Sequence, residues 1–161
     1  MRDPVTAFIG LGANLGDPLR ALREALQALD RLPGTRLVRS SRVYRSAPVD
    51  AGGPDYFNAV AQVDTRLDAP GLLAGLQAIE QAAGRERPYR NAPRTLDLDL
   101  LLFGDARIAS AALTVPHPRW RERAFVLLPL HELAPDRVGA GDLAAVAHQR
   151  IEPLPPASWP A

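Results

Sequence analysis

The chain contains no cysteine, which excludes disulfides, thiolate metal sites and a cysteine nucleophile together. Lysine is also absent, so all 19 basic residues are arginine. That excludes Schiff-base chemistry and the phosphate loop that requires Gly-Lys-Ser/Thr. Any phosphate must be held by guanidinium forks or by a metal. No apolar run approaches the ~20 residues of a membrane span. Met1 to Gly16 lacks the basic start and long apolar core of a signal peptide. The expected location is the cytoplasm, with no membrane partner. A net charge of +1 leaves too few unopposed cations for a general nucleic-acid binder. What is present, 161 residues of which 47% are hydrophobic and 23% charged, suits one globular domain. A chain of that length can hide about 70% of its extended surface on folding.

Thr6 to Gly12 reads as a strand ending in glycines. Asp17-Pro18 then caps a helix carrying Leu19, Leu22, Leu26, Leu29 and Leu32 on one face, stopped by Pro33-Gly34. Thr35 to Tyr44 reads as one strand, Ser46 to Pro54 as a loop and Tyr56 to Thr65 as the next strand. Asp68-Ala69-Pro70 opens a second amphipathic helix that ends near Gly84. A basic loop follows, and then Leu96 to Phe103 with the apolar character of a central strand. Arg107-Ile108 is expected to return as an edge strand and Thr114 to Pro118 to be a loop. Ala124 to Leu133 is expected to form a packed helix disturbed by Pro129. The pattern fades from Pro135, and Pro153 to Ala161 reads as a loose tail. The order implies an α+β, ferredoxin-like β-α-β-β-α-β sandwich with C-terminal additions. A single domain is expected over 1–161, with its core at about 6–136.

The sharpest motif is Arg94-Thr95-Leu96-Asp97-Leu98-Asp99-Leu100-Leu101. Side chains two apart on a strand share a face, so Asp97 and Asp99 project together while Leu96, Leu98 and Leu100 pack behind them. Two carboxylates on an otherwise apolar strand need a positive partner, and Mg²⁺ with a substrate phosphate is the natural one. Just upstream, residues 84–94 carry four Arg against one Glu, a local charge of +3. Guanidinium forks there can close over a polyphosphate. A second basic group, Arg119 to Arg123, follows His117 and precedes Phe125. Tyr56 and Asn58 share one strand face, with Phe57 on the other. Such an aromatic and amide pair can stack on a flat heterocycle and read its edge. Gly10, Gly12 and Gly16 have the wrong spacing for a dinucleotide loop, and no acidic residue ends a second strand. They read as glycines of a tight strand-to-helix turn. On these residues alone a nucleotidyltransferase and a ligand-binding module without turnover stay open.

Taken in order, these segments resemble the 6-hydroxymethyl-7,8-dihydropterin pyrophosphokinase family of folate biosynthesis. The resemblance runs from about Ala7 to Asp136. It rests on Gly10 to Leu15, Tyr44 to Pro48, Asp55 to Ala59, Glu80 to Arg85, Arg90 to Leu101 and Val115-Pro116-His117. It implies transfer of pyrophosphate from ATP to the pterin hydroxymethyl group, with release of AMP. Asp97 and Asp99 would hold two Mg²⁺ ions and act catalytically with Arg85 and Arg94. The implied pterin pocket is Ser46, Val49, Tyr56, Asn58 and Phe125. The implied ATP site is Gln77, Glu80, Arg85, Arg87, Arg94, Leu100, Thr114, His117 and Arg123. A monomer is expected, with these two small molecules as its partners. The sequence departs from the best-known member in a basic loop one residue shorter, with Asn91 in place of Trp and Pro88 in place of Lys. Pro118 replaces a Tyr, and Ala112 an Arg.

Overall fold

The computed structural model describes residues 3–47, 54–84 and 96–155. Its elements are β1 (Val5–Ala13), α1 (Pro18–Asp30), β2 (Thr35–Ser40), β3 (Tyr44–Ser46), β4 (Tyr56–Thr65), α2 (Ala69–Ala83) and β5 (Asp97–Phe103). There follow β6 (Ile108–Ala109), β7 (Thr114–Val115), α3 (Ala124–Leu133), α4 (Ala140–Ala145) and β8 (Ile151–Pro153), with 3-10 turns at Trp120–Glu122 and Pro135–Arg137. Among the described residues no helix is long and apolar enough to cross a membrane.

Six strands form one antiparallel sheet in the order β5-β1-β4-β3-β8, with β2 also paired to β4. β1 therefore lies between β5 and β4. Alternation sorts its side chains: Ala7, Ile9 and Leu11 join Ala59, Ala61, Val63, Leu98 and Leu100 beneath α1 and α2. Phe8 and Val60 join Leu101, Leu102 and α3 on the opposite face. Both helices on the first face start as their sequences require. Asp17 accepts from the Arg20 amide at 3.2 Å and Asp68 from the Gly71 amide at 2.7 Å, each followed by proline within the first turn. Leu22, Leu29 and Leu72 are fully buried between these helices and the sheet. Each such side chain contributes about 2 kcal/mol of hydrophobic stabilisation.

Several sequence expectations need correction. The Leu96 to Phe103 run is an edge strand, not a central one: within the sheet β5 pairs only with β1. It is apolar because both of its faces are covered and because its pairing slips once. Ile9 lies opposite Leu100 but Phe8 opposite Leu102, so Leu101 is an extra residue. That bulge turns Leu101 and Leu102 to the same face and returns Phe103 to the other. The expected strand Thr35 to Tyr44 is divided into β2 and β3. At the break the Ser41 hydroxyl, not a backbone carbonyl, accepts from the Val60 amide at 2.9 Å. Ser46 ends β3 instead of opening a loop. Gly10 and Gly12 lie inside β1, and only Gly16, at φ 65°, serves the turn. Arg107 is outside any strand, and β6 pairs with β7 in a separate two-stranded sheet, so Thr114-Val115 is strand where a loop was expected. Pro129 sits inside α3. Pro153 belongs to β8, opposite Tyr44, and the Leu154 amide donates to the Val43 carbonyl at 2.8 Å. The part of the expected tail at residues 156–161 lies outside the described residues.

Candidate functional site

The register of the sheet sets the site. Asp97 on β5 lies opposite Gly12 on β1, Gly12 opposite Asn58 on β4, and Asn58 opposite Tyr44 on β3. One step along, Asp99 lies opposite Gly10, and Gly10 opposite Val60. All of these share the face that carries α3. The two glycines add no side chain to the strip between the carboxylates and Asn58, which is covered instead by the Leu101 side chain over Gly10 and the Asn58 carboxamide over Gly12. Strands lie about 4.8 Å apart, so the strip separates the two backbones by roughly 10 Å. Sequence reasoning assigned these glycines to a turn. The missed signal was their spacing, since glycines two apart in a strand bare one face.

Asn58 is 7% exposed. Its Nδ2 donates to the Leu11 carbonyl at a long 3.5 Å, and its Oδ1 has no partner. A buried acceptor left this way costs about 1–3 kcal/mol, which a donor on a bound molecule would recover. A Cβ on Gly12 would stand 2.8 Å from Asn58 Nδ2. Tyr56 stands two residues before Asn58 on the same face, 37% exposed, opposite Ser46. Beyond Asn58 the Tyr44 hydroxyl donates to the Glu132 carboxylate, which also accepts from the Arg42 amide at 3.1 Å. Burial, and then this bond, push the Tyr44 hydroxyl well above the ordinary phenol range, so it stays a neutral donor that ties α3 to β3. On the same helix Phe125 is half-buried, with the Arg123 guanidinium 5.4 Å from its ring centre.

At the outer edge of β5 lies a cavity of about 240 Å³ lined by Asp99, Leu98 and Leu100 of that strand, Leu73 of α2, and Thr114 and His117. It brings together three of the expected nucleotide residues, Leu100, Thr114 and His117, with one of the carboxylates. The His117 amide donates to the Leu101 carbonyl at 3.0 Å, which docks this segment along β5. His117 Nδ1 accepts from the Arg119 amide at 3.2 Å, leaving Nε2 as the donor of the neutral ring. Burial lowers its pKa. Asp99 opposes that shift, and Arg123 and Arg119 add to it, so Arg123 belongs to the same cluster. Gln77 is exposed on α2 and is not among the residues lining this cavity. Glu80, one turn on, accepts from the Leu98 amide at 2.8 Å and so holds β5 between its two carboxylates. Val49, Arg85, Arg87 and Arg94 lie outside the described residues.

Asp97 is exposed and Asp99 half-buried, both presenting hard oxygen donors on one strand face. Among the described residues no group of three His, Cys, Asp or Glu could form an all-protein cage. The pair thus fits a cation such as Mg²⁺, which takes one or two carboxylates and completes its octahedron with water and phosphate oxygens.

Paired carboxylates on a sheet edge, a cavity beside them and an unsatisfied amide beyond Gly12 lie close together across β5, β1 and β4. The model of the 7,8-dihydro-6-hydroxymethylpterin-pyrophosphokinase (HPPK) family matches residues 8–135, and the chain belongs to that family. It is 47% identical over 155 residues to a 2-amino-4-hydroxy-6-hydroxymethyldihydropteridine pyrophosphokinase of Pseudomonas aeruginosa, covering 92% of this chain and 96% of that one. It is 46% identical over 135 residues to the enzyme of that name from Haemophilus influenzae, covering 83% and 84%. Among solved structures it resembles the wild-type HPPK-DHPS of Plasmodium falciparum crystallised with pterin and p-hydroxybenzoate. The TM-score is 0.66 at 16% identity, over 84% of this chain and 40% of that one. A triple mutant of the same protein gives a TM-score of 0.69 at 14% identity, over 84% and 41%. This chain thus spans about two-fifths of those proteins, and the likeness to them is one of fold.

The bond from Leu98 to Glu80 generates a prediction for the framework. Glu80→Ala is expected to lower the unfolding free energy by about 1–3 kcal/mol, the scale for a hydrogen bond to a charged group. Urea denaturation checks this, and an unchanged midpoint would show that the bond does not hold the strand.

Proposed function

We propose that the protein transfers the terminal pyrophosphate of ATP to the hydroxymethyl group of 6-hydroxymethyl-7,8-dihydropterin, releasing AMP, as a step of folate biosynthesis. Membership of the family and close identity to its named pyrophosphokinases support the activity. The observation that carries the site is the row Asp97–Gly12–Asn58. It sets an unsatisfied carboxamide and a carboxylate on opposite sides of Gly12. In this reading the pterin edge is read by Asn58 and by backbone groups near Ser46 and Val49. The ring lies between Tyr56 and Phe125, and its hydroxymethyl arm crosses the glycines toward β5. The adenine and ribose occupy the cavity at Leu100, Thr114 and His117, with Gln77 and Glu80 on the α2 side. Arg123 and the guanidinium groups of Arg85, Arg87 and Arg94 take phosphate oxygens.

The hydroxymethyl oxygen attacks the β-phosphorus in line with the bond to the α-phosphate oxygen, which departs as AMP. A loose phosphoryl transition state needs alignment and charge neutralisation more than a strong base. These residues supply that: arginines for the equatorial oxygens and a neutral His117 Nε2–H as donor. Asp97 and Asp99 would hold two Mg²⁺ ions, which when bound neutralise the triphosphate. The β5-β1-β4-β2/β3 order, with helices after β1 and β4, supports a ferredoxin-like sandwich acting as a single pyrophosphokinase domain. We propose further that it works as a cytoplasmic monomer.

Incubation with ATP, Mg²⁺ and the pterin is expected to give AMP only when the pterin is present. ADP would indicate a simple kinase, and release of pyrophosphate a nucleotidyltransferase. Asp97→Asn is expected to lower turnover at least about a hundredfold while the fold survives, the scale for loss of one preorganised electrostatic group. Turnover near that of the parent would overturn the metal assignment. With two ions the rate is expected to keep rising with Mg²⁺ after all ATP is complexed, whereas a plateau at that point would mean one. Gly12→Ala drives a methyl group into the Asn58 carboxamide. It is expected to weaken pterin binding about tenfold, a misplaced hydrogen bond's worth, in a fluorescence titration.

A further inference from the structure

The start of α3 is held from outside the helix. Its N-cap residue, Arg123, is extended at φ −124°, ψ 115° and makes no side-chain capping bond. The first amides of a helix need acceptors, and arginine has none to offer. Gln149 fills the place. Its Oε1 accepts from the Ala124 amide at 2.9 Å, and its Nε2 donates to the Glu122 carbonyl at 2.8 Å. Those two groups belong to the peptide units on either side of Arg123, so one carboxamide fixes both backbone angles of that residue. Phe125 follows two positions on, and the Arg123 guanidinium rests over its ring.

Gln149 lies past residue 135, where the family match ends. The segment that carries it is anchored on both sides. Before it, Asp142 of α4 pairs with Arg121 at 3.8 Å. After it, β8 pairs with β3, placing Ile151 opposite Ser46. Gln149 and Ser46 line a common cavity of about 440 Å³. The C-terminal segment thus spans from β3, which carries Ser46, to the turn that presents Arg123 and Phe125.

We propose that Gln149 is a positioning residue for both substrates, setting the Arg123 guanidinium toward the nucleotide and the Phe125 ring toward the pterin. This rests on the reading of those two side chains as substrate contacts. Gln149→Leu removes both hydrogen bonds at similar size. It is expected to raise the Kd for the pterin and for a non-hydrolysable ATP analogue about three- to tenfold, and to lower kcat, the range for losing one or two hydrogen bonds. Its Tm is expected to fall by a few degrees below that of Arg150→Ala, a change one residue away at an exposed side chain, so the Kd values are read at a temperature where it is fully folded. Gln149→Glu keeps the acceptor for the Ala124 amide and is expected to recover part of the affinity. If Gln149→Leu fails to fold, Gln149→Glu decides: in its folded state it must bind both ligands more weakly than the parent. Parent-like Kd and kcat in folded Gln149→Leu would overturn the proposal, as would a lowered Tm with unchanged affinities. Phe125→Ala and Arg123→Ala separate the two ideas. If neither weakens binding, the site reading fails. If both do and Gln149→Leu does not, the positioning role fails.

Discussion

The antiparallel pairing of β1 with both of its neighbours is the constraint on which the rest depends. It places Gly10 and Gly12 in the middle of the sheet, where each lies between β5 and β4. A glycine in a central strand weakens it, because it has no side chain to pack and loses more backbone freedom on folding. Here the space over the two glycines is taken by the Leu101 side chain and the Asn58 carboxamide. Ile9 and Leu11 recover much of that cost by burying their side chains on the other face, against α1 and α2. β1 thus packs its own side chains below and, at the two glycines, is covered by those of its neighbours above.

The carboxylates depend on the same pairing and on the bulge at Leu101. Without the extra residue a strict alternation could not put Asp97, Asp99 and Leu102 on one face and Leu100 and Phe103 on the other. The bulge lets the polar start of β5 and its apolar end each meet its proper environment. Sequence reading saw the apolar run and inferred a central strand. The run is apolar for a different reason: α2 covers one face and the α3 cluster the other, while β7 lies along its edge.

Much of the candidate site was legible because it is written in short local patterns. Asp97-Leu98-Asp99 and Tyr56-Phe57-Asn58 declare their shared faces through the period of two, and both helices announce their starts with Asp and Pro. Long-range substitutions for backbone pairing were not legible. The Ser41 hydroxyl that divides β2 from β3, the Glu80 carboxylate on the Leu98 amide and the Gln149 carboxamide on α3 each join residues 18 to 25 positions apart. No local pattern reports such bonds. The C-terminal strand escaped notice because three residues with proline at the end carry almost no periodicity. Only its partner β3 gives it meaning.

The bond between Glu80 and Leu98 joins the last turn of α2 to the first residues of β5. It therefore fixes the two points between which residues 85–95 must run, whatever their number. Closing a chain between fixed ends costs little more as it lengthens, about 0.6 kcal/mol for each doubling. Insertions or deletions in this basic stretch can accumulate without moving Asp97 or Asp99. The carboxylates of β5 and the arginines of that stretch are free to evolve at different rates.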